Sequence, residues 1–259
     1  MVSGTSDAST VKINVAKNGT NSTVNIPSAT TSVAGAMSAN DKQVLTKLAN
    51  RYQFGISSFT AEPSVAELGV GADKVVKLTW NFSNEDFHRV SSQQITAAGA
   101  YTGSANPVNI KTHSFTIPKE NITAGAERKI VTFTLNAKAD ANATTAEPKT
   151  CTTTFVHPGY CFVVAANKTA VTSADIPSEN NNKAVLNTKS RTVYNIGQTN
   201  QKLVYVYPSY FGNLTSIKDG NGFQGFSGYT KSTFSMGGTT YNAYIQNAPA
   251  TATGSYTFA

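Results

Sequence analysis

"KVVKLTW", residues 74–80, alternates Val75, Lys77 and Thr79 with Val76, Leu78 and Trp80. A period of two places alternate residues on opposite faces of a strand and fits no helix. The pattern recurs on both sides: "KIVTFTLNA" (129–137) alternates Ile130 with Thr132 and Thr134, "CTTTFVH" (151–157) follows, and "FTAEPSVAELG" (59–69) sets Pro63 and Gly69 around a short edge strand. Strands at this spacing predict a β-sandwich of about 100 residues over 51–159, with the single Trp80 as its core anchor. Residues 83–109 read as a long polar loop inside it. Beyond 160 the character changes. Thirteen of the 25 aromatic residues fall between Tyr194 and Phe258, interleaved with Gly, Thr and Asn. "QKLVYVYPSYFG" (201–212) and "TTYNAYIQNAP" (239–249) are strand-like, "IKDGNGF" (217–223) carries consecutive turn signals, and "SENNNK" (178–183) suits a surface loop.

Composition narrows the function classes. Charged residues make up only 14% of the 259-residue chain, low against the usual quarter and fitting for β-rich modules with many turns. The start, "MVSGTSDAST", has neither the basic nor the apolar region of a signal peptide, and no apolar run approaches the roughly 18 residues that span a bilayer, so a soluble product made in a cytoplasm is expected, without membrane insertion. The net charge of +7 is thinly spread: Lys and Arg number 4 against 2 Asp and Glu in residues 1–50, 10 against 9 in 51–159, and 7 against 3 in 160–259. Without a basic patch, phosphate tracking lacks its footprint, and no nucleic-acid partner is expected. Cys151 and Cys161 flank a turn at His157-Pro158-Gly159 that would bring residue 155, not 151, opposite Cys161, so two free thiols are expected. His88, His113 and His157 lie far apart and no Cys-x-x-Cys occurs, which argues against a metal site. Seven Asn-x-Ser/Thr sequons, Asn81, Asn121 and Asn213 among them, are what chance yields in so Asn- and Thr-rich a chain.

The first fifty residues read differently. In "VKINVAKNGTNSTVNI" (11–26), Val11, Ile13 and Val15 precede an Asn18-Gly19 turn and Val24 and Ile26 follow it, a hairpin signal. A lone hairpin is marginal in water and must pair with something else. In "ATTSVAGAMSANDKQVLTKL" (29–48), Ser38 stands as an N-cap and Asp41, three residues on, completes a capping-box-like arrangement, so a helix is expected from about 38 to 50. Met37, Val44, Leu45 and Leu48 form its apolar stripe. A helix this short is not stable alone. It packs either on the β module that follows or on copies of itself around a threefold axis.

These residues carry a resemblance. "SATTSVAGAMSANDKQVLTKL" (28–48) resembles, through Gly35, Met37, Ser38, Asp41, Lys42 and Leu45, a short segment of many bacteriophage fibre proteins that joins a virion-proximal anchor to the projecting part of a homotrimer. Phe59-x-x-x-Pro63, Glu67-x-Gly69 and Leu78-x-Trp80 are similar to immunoglobulin-like modules in structural proteins of phages of gut Bacteroidota, including the crAss-like group. The runs at 205–223 and 229–245 resemble a terminal β domain of the same proteins. The resemblance implies a mainly β chain: an N-terminal hairpin and short trimerisation helix (1–50), an immunoglobulin-like β-sandwich (51–159) and a C-terminal aromatic-rich β domain (160–259). It also implies a head or tail fibre of a virion, made in the host cytoplasm, held to other virion proteins through residues 1–50, with Met37, Val44, Leu45 and Leu48 as trimer interface and Ser38 and Asp41 as helix cap. A baseplate or capsid decoration protein gripping a virion neighbour is the alternative.

No constellation for catalysis is visible: Gly-x-Ser-x-Gly and phosphate-binding loops are absent, and only Asp175, Glu179 and Asp219 are acidic beyond 159. Paired carboxylates for glycoside hydrolysis need to lie within about 5–10 Å of each other, and Glu85-Asp86 beside His88 reads as solvated surface. The expectation is a non-enzyme without cofactor. Tyr207, Tyr210, Phe211, Tyr229 and Tyr241, with Tyr205 and Tyr244, offer ring faces for a host-surface glycan or a protein partner. Alternation such as Tyr205-x-Tyr207 suits a sandwich core or threefold interface better than glycan contact.

Overall fold

The computed structural model describes residues 2–6, 10–17, 20–27, 41–45, 53–86, 88–125, 127–139, 144–178 and 183–259. The protein is mainly β, its described residues forming several sheets. It divides into two compact units, residues 1–55 with 82–89 and residues 56–81 with 90–259.

In the smaller unit, β1 (Val2–Ser6), β2 (Thr10–Lys17) and β3 (Thr20–Pro27) form an antiparallel three-stranded sheet. The β2–β3 register pairs Val11 with Ile26, Ile13 with Val24 and Lys17 with Thr20, and the expected Asn18-Gly19 turn lies outside the described residues. β1 adds a strand to the expected hairpin, pairing Val2 with Val15 and Ser6 with Val11. Residues 41–45 are helical. Asp41, Val44 and Leu45 lie on this piece, whereas Met37, Ser38 and Leu48 lie outside the described residues. The rings of Phe54 and Phe82 pack 5.2 Å apart, and Asn84 Nδ2 donates to the Gln53 carbonyl at 2.7 Å.

The larger unit begins with a sandwich. One sheet holds β4 (Gly55–Glu62), β6 (Lys74–Ser83) and β9 (Thr112–Ile117) in the order β4-β6-β9. The other runs β5-β12-β10-β7-β8, made of β5 (Val65–Glu67), β7 (Val90–Gly99), β8 (Gly103–Ala105), β10 (Lys129–Ala139) and β12 (Lys149–Val156), with β11 (Thr144–Thr145) on β10. Period-two burial works as the sequence predicts. Val76, Leu78 and Trp80 of β6 are fully buried while Val75 faces out, and Val131, Phe133 and Leu135 of β10 are buried against the outward Ile130. The sheets meet face to face through Phe115 stacked on Phe133 at 5.6 Å and through Trp80, whose indole N–H donates to Gln93 Oε1 at 2.6 Å. That bond satisfies a buried donor and a buried amide at once.

The expected loop at 83–109 is corrected: β7 spans ten of its residues and pairs with β10 along nearly its whole length. Its sequence, "VSSQQITAAG", is polar and small, so only Gln93, Ile95 and Ala97 mark the buried face. Tertiary burial outweighs weak local propensity here. Gly99, at φ +101°, closes the strand where a Cβ would lie 2.4 Å from the Ile130 carbonyl oxygen.

The C-terminal sheet is organised by β15 (Arg191–Pro208), eighteen residues long. Its second half pairs with β13 (Gly159–Ala165) and β18 (Thr239–Gln246), flanked by β14 (Lys183–Ala184) and β17 (Tyr229–Met236). Its first half pairs with β19 (Ala250–Phe258), which also pairs with β16 (Ile217–Asp219). The register shifts between Val193 and Ile196 and between Thr199 and Gln201, where Asn195 and Asn200 adopt positive φ. Such bulges bend a strand. The two halves are thereby folded onto each other, and Phe258 of β19 stacks on Tyr205 at 4.2 Å. Tyr205, Tyr207, Tyr244, Leu203 and Cys161 fill this inner core, while Val204, Val206, Tyr241, Ala243 and Ile245 of the opposite face pack under Val171 and Ile176.

Among the described residues, no strand pairing joins 55–156 to 159–258. The two β modules meet instead through side chains at the turn between β12 and β13. His157 is buried and its Nε2 lies 2.7 Å from the Gly125 carbonyl, its backbone N–H donates to Tyr210 Oη at 3.1 Å, and its ring meets Tyr241 edge-on. Lys183 Nζ pairs with Glu67 at 2.6 Å, and Arg128 donates to Asn187 Oδ1 at 3.0 Å. These partly exposed pairs add little, so His157 carries the junction. Its replacement by alanine strips a partner from a carbonyl and leaves a void, at a cost of about 1–3 kcal/mol, measurable by chemical denaturation; an unchanged midpoint would mean the junction is held elsewhere.

Candidate functional site

Asp175 is occupied with structure, and both thiols are held protonated by burial. Asp175 accepts from the backbone N–H and hydroxyl of Thr172 through Oδ2 and pairs with Lys168 through Oδ1. The Lys168 ammonium, and then the Thr172 N–H, hold its carboxyl below the usual range. Glu179 lies outside the described residues, and Glu85 and Asp86 sit in a surface turn. Both cysteines are free thiols, each pushed up to about 12 by burial. Among the described residues, no group of three His, Cys, Asp or Glu is placed to hold a metal ion, and no helix is long and apolar enough to cross a membrane.

The aromatic residues divide sharply. Tyr207 and Tyr241 are each only 1% exposed. That corrects the expectation that they present ring faces to a glycan: both belong to the sheet core, with Tyr207 Oη donating to the Gly212 carbonyl at 2.9 Å and Tyr241 stacked on Phe234 at 5.7 Å. Burial raises both phenols, keeping them neutral hydrogen-bonding groups. Tyr210 is engaged with His157, and Phe211 packs on the inner core. Tyr229 lines a cavity.

That cavity, about 360 Å³, is bounded by Ile217, Asp219, Phe223, Gln224, Tyr229, Gln246 and Tyr256 with the backbone of Gly225 and Gly228. Its rim is built by "IKDGNGF". Asp219 Oδ1 accepts the backbone N–H groups of Asn221 and Phe223, both at 2.9 Å, the Gly222 N–H donates to the Asp219 carbonyl, and Gly225 N–H donates to Ile217. Gly222, at φ +83°, makes the turn. Phe223, 72% exposed, is therefore held out to solvent by four hydrogen bonds around a tight turn. On the wall, Tyr256 Oη donates to Gln198 Oε1 at 3.0 Å, and Gln198 Nε2 donates to Gln246 Oε1 at 2.8 Å. The Leu203 N–H also donates to Gln246 Oε1. Burial and then the nearby Asp219 charge raise the Tyr256 phenol. With Oε1 doubly occupied, Gln246 offers its Nε2 as a donor, and Asp219 offers Oδ2 as an acceptor.

A second cavity of about 470 Å³ lies over the outward residues Thr192, Tyr194, Lys218, Ser255 and Thr257, with Tyr194 71% exposed. On the first sandwich, depressions of about 200 and 430 Å³ are lined by Ser, Gln, Asn and Thr with Val90, Pro107, Val108, Ala137 and Lys138, and by no aromatic ring. Convergent rings and amides mark the Phe223 cavity as the better-built site. Of the residues lining this cavity, the sequence singles out Tyr229 but not Phe223, Gln246 or Tyr256, since a lone Phe after Asp-Gly-Asn-Gly reads as turn; the turn itself, which presents its last residue outward, is the available signal. No protein-family model matches this chain, and none of the curated proteins does.

Proposed function

We propose that the chain is a structural fibre protein of a bacteriophage virion, a short homotrimeric projection from capsid or tail that contacts the host surface. The observation that carries this is the order Gly35, Met37, Ser38, Asp41, Lys42, Leu45 at the head of an otherwise β chain, with Val44 and Leu45 of the helical piece 53% and 49% exposed. Exposed apolar residues on so short a helix need a partner, and two further copies supply one. Residues 1–50 anchor the trimer to other virion proteins, the first sandwich is an immunoglobulin-like spacer, and the C-terminal module is the tip. Its working principle is multivalency: three tips per stalk and many stalks per particle turn weak contacts into lasting attachment. No catalysis is needed.

Electron microscopy of virions labelled with an antibody to residues 160–259 tests this reading. Label on capsid or tail projections is expected, and unlabelled particles would overturn it. Deleting residues 1–50 is expected to reduce a trimer to monomers by light scattering; an intact trimer would remove the helix from its assigned role.

A further inference from the structure

We infer that the cavity walled by Phe223, Tyr229 and Tyr256 is a saccharide site, selective for neutral sugar rings over acidic ones. The inference rests on the attachment reading for the ligand's source, since a host surface is where such polymers are met; the geometry supplies the class. An exposed phenylalanine is usually tolerated at random positions on a surface, but Phe223 is fixed by a side-chain and backbone hydrogen-bonded turn rather than carried on a slack loop. A ring so held pays little ordering entropy on binding. Flat apolar faces fit the C–H face of a pyranose, and three rings line one cavity whose volume, about 360 Å³, lies at the small end of ligand sites. That is room for one or two sugar units.

The polar groups fit hydroxyls rather than charges. Gln246 donates through Nε2, Gln224 brings an amide to the rim, and Asp219 Oδ2 accepts, so a donor and an acceptor are present for vicinal hydroxyl groups. The Tyr256–Gln198–Gln246 chain fixes the orientation of the Gln246 amide. No Lys, Arg or His lines this cavity, while Asp219 does. A carboxylated sugar would meet like charge without a compensating cation, which costs affinity.

The test is isothermal titration of the full-length protein with cellobiose, lactose and N,N′-diacetylchitobiose, and with sialyllactose as the acidic probe. At least one neutral disaccharide is expected to bind, sialyllactose at least about tenfold more weakly. Phe223→Ala, at an exposed position that leaves the core intact, is expected to weaken neutral binding about tenfold, the worth of about 1.4 kcal/mol of ring stacking. Tyr194→Ala, on the outward face, leaves it unchanged. Binding insensitive to Phe223→Ala, preference for the acidic probe, or no binding by any of the four overturns the inference. Attachment is read separately, by whether the wild-type protein sediments with host cells and blocks virion adsorption. Cell binding retained by Phe223→Ala with no disaccharide bound overturns the saccharide site and leaves the attachment reading standing; Phe223-dependent disaccharide binding without cell binding does the reverse.

Discussion

Replacing Trp80 by alanine is expected to lower the free energy of unfolding by about 3–5 kcal/mol, the usual cost of truncating a buried aromatic side chain. Trp80 is fully buried between the two sheets of the first sandwich, its ring centroid 6.4 Å from Phe59, and its N–H is the partner of a Gln93 side chain that is itself 7% exposed. Alanine therefore removes a large apolar volume and orphans a buried amide oxygen together. Trp80→Phe separates the two effects: it retains most of the packing and leaves Gln93 Oε1 unpaired, at about 1–3 kcal/mol. Urea denaturation followed by circular dichroism reads both variants, since the only tryptophan is lost in each. A loss below about 1 kcal/mol for the alanine variant would contradict the placement of Trp80 at the centre of the core. Typical domains are stable by only 5–15 kcal/mol, roughly, so the alanine variant is also expected to express poorly.

Alkaline solution is expected to unfold the C-terminal module between about pH 9 and 12. Burial pushes the Cys161 thiol from 9.0 up to about 12, and burial likewise raises the phenols of Tyr205, Tyr207, Tyr229 and Tyr241. The folded state thus holds protons that the unfolded chain releases. For a group raised in the folded state, the stabilisation is complete below the unfolded value, here about 9, and is lost as pH climbs through the folded value, about 12. Cys161 alone accounts for about 4 kcal/mol across that window. Denaturant midpoints measured at pH 8, 10 and 11 should fall progressively, with the tyrosinate absorbance of the buried phenols appearing together with unfolding rather than before it. At pH 8 both thiols should resist alkylation until denaturant is added. Midpoints that stay level to pH 11 would contradict the burial of these groups.

How much of this was legible in the sequence depends on how strongly each segment's pattern constrained it. β6 and β10 announce themselves, because "KVVKLTW" and "KIVTFTLNA" place apolar residues at every second position and only a strand buries such a set on one side. β7 does not: Gln93 is a core residue only because Trp80 of the other sheet needs an acceptor, a requirement that no local pattern carries. Phe223 is hidden in the same way, since its projection into a cavity depends on Tyr229 and Tyr256 arriving from β17 and β19.

By itself, then, the order of residues determined the mainly β class, the buried faces of the regular strands and the turn at Asp219–Phe223, all of which depend on neighbours close along the chain. Tertiary structure alone decided which tyrosines are core. Tyr205 and Tyr207 lie on one strand face whatever the fold, but that face is closed because β15 bends at Asn195 and Asn200 and returns β19 over it, stacking Phe258 on Tyr205. An alternating aromatic pattern specifies a face, not what covers it; the cover comes from residues about fifty positions away, and so only the folded chain separates the buried rings of Tyr207 and Tyr241 from the open ring of Phe223.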